Sequence, residues 1–140
     1  MLSFIIQTHR KRTIYSKPHF FVLNKGLNSG KPQKDEFTNS FVIIFSKIQD
    51  LETVYWIAYS LWKSRFWHQF LCGSVIPFLR INDLKQNFST RVNTLLLDHE
   101  QNQKDIKALK LLELKETQFH ENINLINDLR RVILYRYCKK

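Results

Sequence analysis

After Pro77 the chain contains neither glycine nor proline, so its last 63 residues, Phe78 to Lys140, carry no strong breaker and read as helical. Within that stretch "NDLKQNFSTRVNTLLL" offers Asn82 as an N-cap and sets Leu84, Phe88, Val92, Leu95 and Leu96 on one stripe. The octet "DHEQNQKD", Asp98 to Asp105, has no apolar residue. Beyond it Ile106, Leu109, Leu112, Phe119, Ile123, Ile126, Leu129, Ile133 and Tyr137 recur mostly at spacings of three and four, close to a heptad seam. The helical part, about 82–138, is therefore either one rod or a hairpin. A break at the octet is expected, because about two turns without a seam residue remove what holds a coiled coil together.

The first half is patterned differently. "HFFVL", His19 to Leu23, and "SFVIIFS", Ser40 to Ser46, are β-branched and aromatic runs between turn formers, and both read as strands. The sixteen residues between them are long for a hairpin connection. "SVIPFLR", Ser74 to Arg80, reads as a third strand, with Pro77 placing it at an edge or bulge. From Asp50, a candidate N-cap, "DLETVYWIAYSLWKS" has helical spacing, and "RFWHQFLCG" continues it by a turn or two to Gly73. This helix is apolar almost all round, which predicts burial on more than one side. Trp56 and Trp67 are expected to point away from the main stripe, beside Lys63. Aromatics next to lysine can stack on unpaired bases, but packing against the rest of the protein is the favoured reading.

Chemical motifs are mostly excluded. In "HFFVLNKGLNSGKPQK" the spacing Gly26, three residues, Gly30, Lys31 is one residue short of a phosphate-binding loop. Pro32 supplies neither the magnesium-binding hydroxyl nor a backbone amide, and a strand follows where a helix is needed. A glycine-rich turn is the better reading. His68 and Cys72, four apart, would share a helical face, yet no third metal ligand accompanies them. Asp35 with Glu36 and Asp50 with Glu52 lack the apolar surroundings that raise a carboxyl pKa. No catalytic, metal-ligating or cofactor-binding residue is assigned, no cofactor is expected, and the chain reads as a non-enzyme.

At 140 residues with 44% hydrophobic content the chain can bury one domain's core despite a net charge of +10. Met1 to Lys34 carries +7 and Leu129 to Lys140 carries +5, while the segment between them sums to −2. Residues 1–14 read as a basic arm on a single domain spanning 15–140. Arg10, Lys11, Arg12, Lys31, Lys34, Arg130 and Arg131 are the candidate contacts to a nucleic-acid backbone. Two widely spaced cysteines fit a reducing cytoplasm, and neither a signal peptide nor a membrane span is read.

"YSKPHFFVLNKGLNSGKP", "NSFVIIF" and "VYWIAYSLWKSRFWHQFLCGSVIPFLRINDL", with "GSVIPF" the most specific part, resemble a family of short bacterial proteins of unknown function from mobile-element-rich genomes. The resemblance spans Tyr15 to Cys138 and implies a bacterial, cytoplasmic setting. It brings no activity and no catalytic residues. The expectation is an α+β fold in which two or three short strands pack on the aromatic helix and a long helical part follows. Leu112, Phe119, Ile123 and Ile126 would form a seam for a second copy or a helical protein partner. The alternative is a nucleic-acid-binding accessory protein that uses the basic ends.

Overall fold

A computed structural model describes residues 2–139. The fold is α+β. Four antiparallel strands, β1 (Phe4–Thr8), β2 (His19–Leu23), β3 (Pro32–Gln33) and β4 (Ser40–Phe45), form one sheet in the order β1-β4-β2-β3. Three α-helices follow: α1 (Ile48–Lys63), α2 (Ile81–Leu95) and α3 (His99–Cys138). A 3-10 turn at Phe66–Phe70 lies between α1 and α2. The chain divides into two compact units, one ending at His99 and the other beginning at Glu100.

Alternation along the strands sorts their side chains. Phe4 faces Phe45, Ile6 faces Ile43, Phe20 faces Ile43 and Val22 faces Phe41 on one side of the sheet. These residues join Val54, Ile57, Ala58 and Leu61 of α1, and Leu84, Phe88 and Val92 of α2, in a single dry core. Phe88 is fully buried with Phe4 edge-on to it, the two ring centroids 5.8 Å apart. On the opposite side Phe21 pairs with Val42, and the segment between β1 and β2 brings His9 and Tyr15 against Phe21.

Several expectations need correcting. The sheet has four strands, because residues 1–14, read as an arm, contain β1, and the long connection contains β3. β3, at two residues, is too short to show a pattern, whereas β1, as long as β2, lies in a segment read for its charge; β1 pairs with β4 and β3 with β2. "SVIPFLR" is not a strand. Cys72 and Phe78 exchange backbone hydrogen bonds of 2.9 Å around a tight loop, Val75 and Ile76 stay exposed, and Phe78 bridges to Lys25. Gly73 takes φ +93° there, where a Cβ would come within 2.7 Å of the Ile76 carbonyl oxygen.

The helix ends also differ. α1 starts after Lys47, and Asp50 lies in its first turn, where its charge favours the dipole. α2 starts after Arg80, whose Nε donates to Asp83 Oδ2 at 3.1 Å. Arg65, at φ +60°, ends α1 in the left-handed region, so the aromatic run does not continue as α-helix and its second part winds as 3-10. The helical break falls at Leu96 to Asp98, just before most of the polar octet, which forms the first turns of α3. Those turns and the residue after them hold the two buried residues of α3, Asn102 and Ile106, and an exposed Glu100–Lys104 pair at 3.5 Å adds little.

Candidate functional site

Three places bear on function, two of them carrying residues singled out by sequence. The first is α3, 40 residues and so about 60 Å long at about 1.5 Å per residue. Glu100 at its start and Arg136 in its last turn both suit the dipole. Asn102 and Ile106 are buried, and from Leu114 to Lys139 every residue is exposed. The four seam positions are each more than half exposed: Leu112 63%, Phe119 64%, Ile123 52% and Ile126 53%. Leu129, Val132, Ile133 and Tyr137 extend the apolar surface toward the C-terminal end.

The second place is the turn that resembled a phosphate-binding loop. Gly30 N–H donates to the Leu23 carbonyl at 2.7 Å and Leu23 N–H to the Lys31 carbonyl at 3.0 Å, which closes the β2–β3 hairpin. Ser29 Oγ donates to the Gly26 carbonyl at 2.6 Å and is buried. Gly30 lies at φ +95°, and a Cβ there would collide with the indole of Trp67. The glycine admits a buried tryptophan, and the loop is architectural. Trp67, expected off the main stripe of the helix and packed against the rest of the protein, is 1% exposed.

Lys31 and Lys34 flank β3 and reach over the rings of α1. Lys31 Nζ is 5.0 Å from the centre of the Trp62 ring, and Lys34 Nζ is 5.6 Å from that of Tyr55. Lys63, not singled out as a basic contact, lies 5.2 Å from Trp62 and 5.7 Å from Tyr59. Tyr55, Trp56, Tyr59 and Trp62 form a chain of edge-to-face contacts with centroids 5.2–6.0 Å apart, all half-buried. The buried stripe of α1 is Val54, Ile57, Ala58 and Leu61, so these rings flank the core instead of filling it.

The third place was not visible in sequence. The His9 side chain is fully buried, with Nε2 at 2.9 Å from Glu36 Oε1 and Nδ1 at 2.9 Å from Tyr15 Oη. With Nε2–H donating to the carboxylate, Nδ1 accepts the tyrosine hydroxyl proton. Glu36 also accepts the backbone N–H of Arg12 at 3.1 Å. The His9 hydrogen bond first, and that N–H second, hold the Glu36 carboxyl below its ordinary pKa. This trio fastens the 9–18 segment over Phe21, and no pattern in the sequence links positions 9, 15 and 36.

Arg10, Lys11 and Arg12 are exposed beside that trio, and Arg12 takes φ +68°. Arg130 and Arg131 lie exposed on α3, with Arg131 3.7 Å from Asp128. The structure brings Lys31 and Lys34 to one ring stripe and draws Arg12 to the loop after Lys34. Arg130 and Arg131 belong to the other unit. His68 and Cys72 are not four apart on an α-helix: His68 is exposed in the 3-10 turn and Cys72 Sγ donates to the Phe70 carbonyl. Among the described residues no group of three His, Cys, Asp or Glu side chains could hold a metal ion, and no helix is long and apolar enough to cross a membrane.

No curated protein and no solved structure matches the chain. The model of a family of unknown function, DUF6943, matches residues 6–136 and so covers nearly all of the sheet and of α3 and the whole aromatic helix; the chain belongs to that family.

Proposed function

We propose that the protein is a non-catalytic interaction module that associates through α3, in the first instance with a second copy of itself as a coiled coil. The observation that carries this reading is the continuous exposure of Leu112, Phe119, Ile123 and Ile126 on one long helix. Fully burying a Leu, Ile or Phe side chain contributes about 1.5–3 kcal/mol, so a helix leaving this many in water has much to gain from a partner. The 3-and-4 spacing of the seam is what a facing helix requires. A reducing cytoplasm suits its two free cysteines, Cys72 and Cys138.

Size-exclusion chromatography of the intact chain and of a Phe119→Glu, Ile123→Glu double variant tests the reading. Charges at the seam should shift elution to that of a monomer while circular dichroism keeps its helical signal. Identical elution of the two proteins contradicts it.

A further inference from the structure

The flank of α1 carries an inference independent of the α3 reading. Tyr55, Tyr59 and Trp62 lie at spacings of four and three, on one stripe of α1 about 10 Å long. The platform is held in place from below: Tyr55 stands edge-on to fully buried Phe20, centroids 5.3 Å apart, and Trp56 buttresses both Tyr55 and Tyr59. Three ammonium groups converge on it. Lys31 and Lys63 both approach the Trp62 ring, although two cations at one ring repel each other. Lys31 and Lys34 have no carboxylate partner among the described residues. Glu52, one turn before Tyr55, is the acid at one end of the stripe, and the sequence carries no further acid until Asp83.

We propose that this stripe binds single-stranded nucleic acid, with bases stacked on Trp62, Tyr59 and Tyr55 and phosphates paired to Lys31, Lys34 and Lys63. Every base presents a π-face, and a positively charged groove lined by aromatic rings recognises an unpaired strand without reading its sequence. A base arriving on Trp62 displaces a lysine from the ring face, and the freed ammonium turns to the neighbouring phosphate, relieving the repulsion between Lys31 and Lys63. A duplex hides its base faces, so it gains only the charge term.

Fluorescence anisotropy of the intact chain with a labelled oligothymidylate of about 15 nucleotides tests this, beside a duplex of equal length and heparin. Single-strand binding is expected at low salt, with a log–log salt slope of about −2 for three phosphates. Tryptophan emission should be quenched on binding, and Trp62→Phe should remove that quench. A K31Q/K34Q/K63Q variant, folded by circular dichroism, should bind at least tenfold more weakly. Absence of binding at low salt overturns the proposal. Unchanged affinity in the triple variant also overturns it, assigning the contact to the terminal arginines and lysines. Equal affinity for duplex or heparin overturns it by reducing the site to bare charge.

Discussion

The unit ending at His99 and the unit formed by α3 use apolar residues in opposite ways. In the first, Phe20, Phe45, Phe88 and Trp67 are nearly or completely dry. In the second, Phe119, Ile123, Leu129 and Ile133 recur at helical spacing and stay in water. Burial converts such side chains into folding stability, whereas exposure on a long helix leaves the same free energy for association. On the proposed reading, the first unit is built to stand and the second to meet a partner.

The largest expected effects sharpen that contrast. Phe88→Ala should cost the first unit about 3–5 kcal/mol in denaturant unfolding followed by tryptophan emission, as truncation of a buried ring does. Gly30→Val should lower stability severely too, since its side chain meets the Trp67 indole at a positive φ. Phe119→Ala, the same chemical truncation as at Phe88, should change that unfolding by no more than about 0.5 kcal/mol. A cost like that at Phe88 breaks the comparison.

Smaller effects belong to the His9 fastening. The Glu36 pKa is depressed in the fold, so its contribution is present above the unfolded carboxylate value of about 4.3 and is lost as pH falls through the folded value. Glu36→Gln should therefore lower Tm at neutral pH, and its gap to the wild type should close in acid. A gap that persists at low pH contradicts the assignment. Tyr15→Phe leaves His9 Nδ1 without its hydroxyl partner and should cost about 1 kcal/mol, measured by the same thermal scan.

Periodicity makes β2, β4, α1, α2 and α3 legible in the sequence, because each carries an apolar run between turn formers or a stripe at helical spacing. β1 and β3 are not, since Phe4–Thr8 lies in a segment read for its charge and Pro32–Gln33 is too short to show a pattern. "SVIPFLR" shows the converse: a β-branched run that finds no strand to pair along its length and curls instead. The aromatic run reads as one helix, yet it turns at Arg65 and winds as 3-10 beyond it, and that left-handed turn is not encoded by a glycine. The seam on α3 could be read directly. The lysine and ring stripe could be read only in part, because Lys31 and Lys34 reach Trp62 and Tyr55 through sheet pairing.

Sedimentation of the intact chain from about 1 to 50 µM weighs α3 most directly, as mass action makes association visible over such a range. The account predicts a concentration-dependent mass rising to a multiple of the 16.9 kDa chain. A mass that stays at one chain throughout contradicts it.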